Sequence, residues 1–158
     1  MQNIEYTKID DEIKQKIIGQ WGQWVQDWNC IPEGRGCYGV AATADAKIVG
    51  FAALGPQELT PPLNGCFDAY IMDIEVDEEF QRRGIGRTLA GMLEDWAKSY
   101  GYRQIRAWSS EKSVEAIHMW YNLNYCMCPA VMLGVSAVTG DPNEKVTGYY
   151  YAKMLNPK

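Results

Sequence analysis

The sequence predicts a mixed α/β fold, with one central sheet that carries helices on both faces. Apolar residues form short strand-like runs that alternate with longer runs at helical spacing, and no internal repeat or linker interrupts them. The chain has 158 residues, of which 47% are hydrophobic and 22% charged. This length favours a single domain over residues 1–158, with enough chain for a substantial core.

The first part of the chain is predicted as a strand, a helix and a hairpin. Ile4 to Ile9 is a short strand, and Asp10 then offers an N-cap. Apolar residues at helical spacing follow and predict one helix that ends near Trp28. Tyr38 to Thr43 and Ile48 to Leu54 are strands joined by four residues, which is typical of an antiparallel hairpin.

Strands and helices alternate in the rest of the chain, after a proline-rich loop at residues 56–65. Gly101 lies just past a long amphipathic helix, where a left-handed C-cap requires glycine. The predicted elements are a strand over 67–76, a turn over 77–83, helices over 85–100 and 112–123, and strands over 103–108, 125–135 and 146–155.

Composition argues against several classes of function. The 20 acidic residues outnumber the 15 Lys and Arg residues, so the net charge of −5 repels phosphate backbones and anionic lipids. We therefore expect no nucleic-acid or membrane partner. Five cysteines without a CxxC pair, and one histidine, predict free thiols in the cytoplasm and no metal site. The uncharged stretch over 116–140 has too short an apolar part for a membrane span.

The most informative stretch runs from Asp73 to Thr88. A predicted strand leads into a turn containing Gly84 and Gly86, and the turn opens a long helix. Unpaired N–H groups converge at the positive end of a helix dipole, which favours the binding of phosphate. Three nearby side chains add positive charge: Arg82, Arg83 and Arg87.

Two common phosphate loops do not fit this stretch. The Walker A loop needs a Gly-Lys-Ser/Thr sequence, and the dinucleotide fingerprint needs a third glycine where Leu89 stands. The remaining pattern, Gln-x-x-Gly-x-Gly over residues 81–86, resembles the pyrophosphate loop of the GNAT N-acetyltransferase superfamily. A second segment, from Ser113 to Tyr125, is similar to that superfamily's Asn-x-x-Ala-x-x-x-Tyr helix, with Ala116 matching and Trp120 at the tyrosine position.

This resemblance implies a GNAT-like fold and acetyl-CoA as co-substrate. The backbone of Ile74 and Val76 is then expected to pair with the pantetheine arm. Residues 81–87, which we call the glycine turn, are expected to hold the pyrophosphate. Ser113, Ala116 and Trp120 are expected to line the other side of the arm. The expected cofactor-binding residues are therefore Ile74, Val76, Gln81, Arg82, Arg83, Gly84, Ile85, Gly86, Arg87, Ser113, Ala116 and Trp120.

Acyl transfer to an amine needs a base, because an ammonium with a pKa near 10 is not a nucleophile, and it often uses an acid for the leaving thiolate. Asp73 and Glu75 are the candidate bases, since the two-residue period of a strand puts them on one face. They could equally hold a cationic amine or face solvent. Residues 108–111 are further candidates to contact substrate, and His118 is predicted to lie at the surface.

Trp120 cannot serve as the acid near neutral pH, because an indole N–H does not release its proton. Tyr121 is the adjacent phenol and the candidate acid, although it lies about 100° further around the helix. Tyr70, Tyr125, water, or unaided departure of the thiolate are alternatives.

The resemblance thus predicts an N-acyltransferase that moves an acetyl group from acetyl-CoA to the primary amine of a small molecule or peptide. The alternative is a non-catalytic CoA-binding module with a degenerate active site, and a nucleotide-binding domain is a more distant rival. The oligomeric state, including a homodimer, stays open.

Overall fold

A computed structural model describes residues 3–133 and 143–156, which form seven β-strands and four α-helices. The predicted mixed α/β class is therefore confirmed. The chain divides into two compact units, one comprising residues up to Ile105 and from Leu155 onward, the other Arg106–Met154. The single domain over residues 1–158 stays a prediction.

The first unit contains most of the elements. They are β1 (Ile4–Lys8), α1 (Asp11–Trp21), α2 (Trp24–Asp27), β2 (Tyr38–Ala44), β3 (Lys47–Glu58), β4 (Phe67–Val76), a 3-10 turn (Glu78–Phe80) and α3 (Ile85–Tyr100). Strand β5 (Gln104–Ser110) runs from the first unit into the second, where α4 (Val114–Asn122), β6 (Cys126–Leu133) and β7 (Lys145–Met154) follow. The predicted strand over 125–135 extends past the described residues at its last two positions.

The prediction of one helix ending near Trp28 is wrong, because Gly22 separates two helices. Gly22 has a φ of 113°, which favours glycine, and its N–H donates to the carbonyl of Ile18 at 2.8 Å. The Trp24 indole N–H donates to the carbonyl of Trp21 at 2.7 Å, so α2 starts directly after the break. Local apolar spacing continues through the break and therefore did not reveal it.

Helices cover both faces of the sheet in the first unit, as predicted. Strands β1 to β4 pair antiparallel in sequence order. Phe51 of β3 packs with Ile17 of α1 and Val25 of α2, and we call this side the α1 face. On the opposite side, the α3 face, a Cβ added to Gly50 would lie 3.4 Å from Leu89 of α3.

The second unit packs around aromatic side chains. Strand β7 lies between β5 and β6, and β6 pairs with β7 antiparallel. Trp120 of α4 is buried, with its ring 4.8 Å from that of Tyr125 and 5.7 Å from that of Tyr151.

Candidate functional site

A β-bulge in β4 determines where the two predicted acids point. Ile71 pairs with Leu54 and Asp73 pairs with Ala53, which leaves Met72 as the extra residue. Because Leu54 and Ala53 are adjacent and point to opposite faces, Ile71 and Asp73 do so as well. The bulge thus buries Ile71 on the α3 face and turns Asp73 to the α1 face.

Glu75 shares the α1 face with Asp73, since its cross-strand partner is Phe51. Both carboxyl groups are half-buried. Burial raises the pKa of Glu75 to about 7, and the nearby charge of Asp73 adds to this effect. Burial also raises the pKa of Asp73, while hydrogen bonds from the Cys30 thiol and the Ile74 N–H oppose that rise.

Glu75 can therefore exchange a proton near neutral pH. A carboxylate whose pKa is near 7 accepts a proton from a bound amine far more readily than an ordinary exposed glutamate does. Desolvation is the dominant cause at Glu75, so the property depends on the packing of the α1 face. The arrangement fits a general base, and it equally provides negative charge for a cationic group.

The turn before α3 is shaped to expose backbone donors. Gly84 has a φ of 83° and precedes α3 without any side-chain cap, and no acidic residue occupies the first turn. The N–H groups of Ile85, Gly86 and Arg87 have no acceptor within the helix, because the first turn of any helix lacks one. A Cβ added to Gly84 would meet nothing within 4 Å. This helix start can bind an anion.

The basic side chains of this turn are all exposed, and Arg83 contacts the preceding 3-10 turn. Arg82, Arg83 and Arg87 are exposed. The Arg83 guanidinium donates to the carbonyl of Glu79 at 2.7 Å and lies 4.8 Å from the ring centre of Phe80. Arg82 has a φ of 59°, so the chain turns sharply there.

Three of the expected binding residues already make contacts at the end of β4. The Gln81 side-chain amide donates to the Val76 carbonyl at 3.0 Å. The Ile74 N–H donates to the Asp73 carboxylate at 2.8 Å. Pairing of Val76 and Ile74 with a ligand would therefore compete with these bonds.

The residues expected from the second segment all belong to α4 or its cap. Ser113 is the N-cap residue without a side-chain cap bond, and Ala116 is half-buried. Trp120 is 2% exposed, whereas Tyr121 is 70% exposed. The structure therefore assigns the two adjacent aromatic residues to different environments.

Other candidates named from the sequence are spread over both units. His118 is exposed, as predicted. Tyr125 is buried against Trp120, and Tyr70 is half-buried on β4. Of residues 108–111, Ser109 forms a 2.7 Å hydroxyl pair with Tyr151.

Sequence reasoning missed that Cys30 lies near these acids. Cys30 is buried, and burial together with the nearby Asp73 raises the pKa of its thiol. No local pattern signals this proximity, because Cys30 follows α2 and Asp73 lies on β4. The expectation of free thiols is met, since all five cysteines are unpaired.

Within residues 3–133 and 143–156, no group of three or more His, Cys, Asp or Glu side chains is arranged to hold a metal ion. Over the same residues, no helix has the length and hydropathy that crossing a bilayer requires.

Comparison with solved structures identifies the fold. The ribosomal-protein-S18-alanine N-acetyltransferase from Escherichia coli aligns with a TM-score of 0.71 at 17% identity, covering 98% of this chain and 95% of that one. Arabidopsis thaliana NAA60 in complex with acetyl-CoA aligns with a TM-score of 0.71 at 14% identity, covering 98% and 99%. An acetyl-CoA-bound GNAT family acetyltransferase from Elizabethkingia anophelis aligns with a TM-score of 0.68 at 14% identity, covering 98% and 100%.

Sequence comparison agrees with the fold. No curated protein sequence matches the chain. The family model described as the acetyltransferase (GNAT) family matches residues 4–125, which is most of the chain. The resemblance seen in the glycine turn is thereby confirmed, and the chain belongs to the GNAT acetyltransferase family.

Proposed function

We propose that this protein transfers an acetyl group from acetyl-CoA to the primary amine of a small molecule or peptide, by direct attack on the thioester. The observation that carries the proposal is Glu75, a half-buried carboxyl group whose pKa is raised to about 7. Acetyl-CoA as the donor is supported by family membership and by solved structures of similar fold that contain it.

The glycine turn is the proposed site for the CoA pyrophosphate. The uncapped N–H groups of α3 and the exposed arginines would neutralise its charge. Ile74 and Val76 are proposed to pair with the pantetheine arm through their backbone, in exchange for the bonds they now make to Asp73 and Gln81. Ser113, Ala116 and Trp120 are proposed to contribute from α4.

The proposed chemistry begins with proton removal from the acceptor ammonium by Glu75. The neutral amine then attacks the thioester carbonyl. As the tetrahedral intermediate collapses, the CoA thiolate leaves and the nitrogen releases its extra proton to solvent, which gives the neutral amide. Tyr121 is the proposed proton donor for that thiolate, because it is the exposed phenol on α4. Asp73 adds negative charge beside Glu75, which favours a cationic acceptor.

A non-catalytic CoA-binding module is the second candidate. It is favoured by Trp120, which is buried and cannot donate a proton where the family pattern has tyrosine.

The acidic net charge and five free thiols support a cytoplasmic protein with no nucleic-acid or membrane partner. A homodimer remains open to test.

Release of the CoA thiol from acetyl-CoA, measured with and without a panel of amines, tests the proposal. The panel should include small primary amines, an aromatic ethylamine and peptides with a free N-terminus or a lysine. Amine-dependent release supports the transferase. Acetyl-CoA binding by calorimetry without release for any amine supports the module, and binding of ATP without binding of CoA overturns both.

A further inference from the structure

Asp77 fixes the 3-10 turn that leads into the glycine turn. Its N–H donates to the Val49 carbonyl of β3 at 2.9 Å, and its own carbonyl accepts from the Phe80 N–H at 2.8 Å. The Asp77 carboxylate accepts from the Glu79 N–H at 3.2 Å and from the Lys47 ammonium at 2.8 Å. These bonds hold the 3-10 turn against β3.

Phe80, the last residue of this 3-10 turn, presents its ring to two cations. The side chain is buried, with only 7% of the residue exposed. The Arg83 guanidinium lies 4.8 Å from the ring centre, and the Lys47 ammonium lies 5.9 Å from it. A cation within about 6 Å of a ring centre is attracted by the negative charge of the ring face. Because Phe80 is buried in a hydrogen-bonded turn, its ring offers the guanidinium a fixed surface.

Arg83 makes a second contact that restricts its side chain further. Its guanidinium donates to the Glu79 carbonyl at 2.7 Å. Within the part of the chain that the structure describes, Arg83 forms no ion pair with a carboxylate. A guanidinium has five N–H donors, so most of them stay available to phosphate oxygens. Arg83 directly precedes Gly84, after which the uncapped N–H groups of α3 begin.

Arg82 and Arg87 are held less firmly than Arg83. Over residues 3–133 and 143–156, neither side chain makes a hydrogen bond, an ion pair or a ring contact. A long side chain that moves freely loses conformational freedom when it binds a ligand, and this loss lowers the affinity. Arg83 has already lost much of that freedom before a ligand arrives. The three arginines are therefore not equivalent.

We propose that Phe80 is a positioning residue for acetyl-CoA, whose ring holds the Arg83 guanidinium in place to receive the pyrophosphate. The inference rests on the proposed function, in which the glycine turn binds that group. It predicts that Arg83 contributes more to acetyl-CoA affinity than Arg82 or Arg87, although all three carry the same charge. It also assigns a part in ligand binding to a buried side chain that has no charge of its own.

Calorimetry with acetyl-CoA tests the proposal without requiring turnover. Phe80→Leu keeps an apolar side chain but removes the ring, so Kd should rise about three- to tenfold, the cost of ordering one long side chain. Phe80→Tyr keeps the ring and should retain the wild-type Kd. Arg83→Gln should raise Kd more than Arg87→Gln does, and both of these changes are at exposed positions that the fold tolerates. Near-UV circular dichroism checks that each variant is folded.

Three results of this experiment would overturn the proposal. They are an unchanged Kd in Phe80→Leu, equal increases in Phe80→Leu and Phe80→Tyr, and equal increases in Arg83→Gln and Arg87→Gln. The double variant Phe80→Leu/Arg83→Gln should bind acetyl-CoA like Arg83→Gln alone, because the ring acts only through Arg83. A larger loss in the double variant would mean that Phe80 supports the turn in general, which also overturns the positioning role.

NMR of the ligand-free protein tests the contact itself. The ring current of Phe80 should shift the Hε signal of Arg83 away from the position of a free arginine. The shift should vanish in Phe80→Leu and persist in Phe80→Tyr. An unshifted Arg83 signal in the wild-type protein would contradict the proposal.

Kinetics with a shortened donor separate positioning from a general structural effect. S-acetylpantetheine has the thioester and the pantetheine arm but lacks the pyrophosphate. In Phe80→Leu, kcat/KM for acetyl-CoA should fall, while kcat/KM for S-acetylpantetheine and KM for the amine stay at their wild-type values. Equal losses with the two donors would overturn the proposal. If wild-type protein acetylates no amine, the proposed function fails, while calorimetry still decides whether Phe80 positions Arg83.

Discussion

The β4–α3 region and the α4 region both join a strand to a helix, yet they present opposite kinds of surface. The first places Glu75 half-buried on β4 and starts α3 at Gly84, with no acid in the first turn. The second starts α4 at Ser113, with Glu115 in the first turn. The buried face of α4 carries Trp120.

The contrast shows that burial, rather than residue type, makes a carboxylate chemically useful. Glu75 and Glu115 are the same residue, but only Glu75 is partly desolvated, and its pKa rises for that reason. Acidic residues near a helix start also oppose anion binding, and α3 lacks them where α4 does not. The first region therefore combines the proposed base with the proposed anion site.

The largest expected effect is at Glu75, the proposed base. Glu75→Gln should lower kcat by about 10² to 10⁴, because loss of a positioned general base has that cost. The wild-type acid limb should lie near pH 7, with the rate rising as Glu75 loses its proton above that pH. Rates from thiol release between pH 5.5 and 9 measure both quantities.

Glu115→Gln on α4 is the matched control and should leave the rate and its pH dependence unchanged. Equal losses in the two variants, or a Glu75→Gln enzyme that keeps its acid limb, would remove the distinction between the two regions.

Tyr121→Phe tests what α4 contributes. We expect kcat to fall by less than about 10², since water can replace a donor that is 70% exposed. Acetyl-CoA affinity, measured by calorimetry, should not change. An unaltered kcat would mean that the thiolate leaves without help from Tyr121, and the role would then be withdrawn.

Gly84→Ala should weaken acetyl-CoA binding by about tenfold or more, because its Cβ would occupy space proposed for the pyrophosphate and a tenfold loss corresponds to only 1.4 kcal/mol. Gly101→Ala is the control, since Gly101 is also left-handed and its added Cβ also meets nothing within 4 Å. Both variants carry similar backbone strain, of about 1 to 2 kcal/mol. Calorimetry should find weaker binding only in Gly84→Ala.

The smallest expected effect is on salt dependence. Arg82, Arg83 and Arg87 are exposed, so raising salt to physiological strength should weaken acetyl-CoA binding a few-fold by screening over about 8 to 10 Å. Titrations at two salt concentrations measure this. A salt-independent affinity would assign the binding to the backbone N–H groups of α3 alone.

Several features followed from local patterns in the sequence. The glycine turn between a strand and a helix was predicted at Gly84, and Gly101 was predicted as a C-cap; both have positive φ. The pairing of Asp73 and Glu75 on one face followed from the two-residue period of a strand. Such features depend on neighbours along the chain, so one sequence is enough to predict them.

What the tertiary structure decided depends on contacts between distant segments. The bulge at Met72 places both acids on the α1 face. Its position depends on how β4 pairs with β3, where Met72 is the residue of β4 without a partner. The approach of Cys30 to Asp73 follows from packing of α2 on that face, and packing against Tyr125 and Tyr151 buries Trp120. Burial also raised the pKa of Glu75. The burial of a side chain depends on the whole folded chain, so it cannot be predicted from the spacing of neighbouring residues.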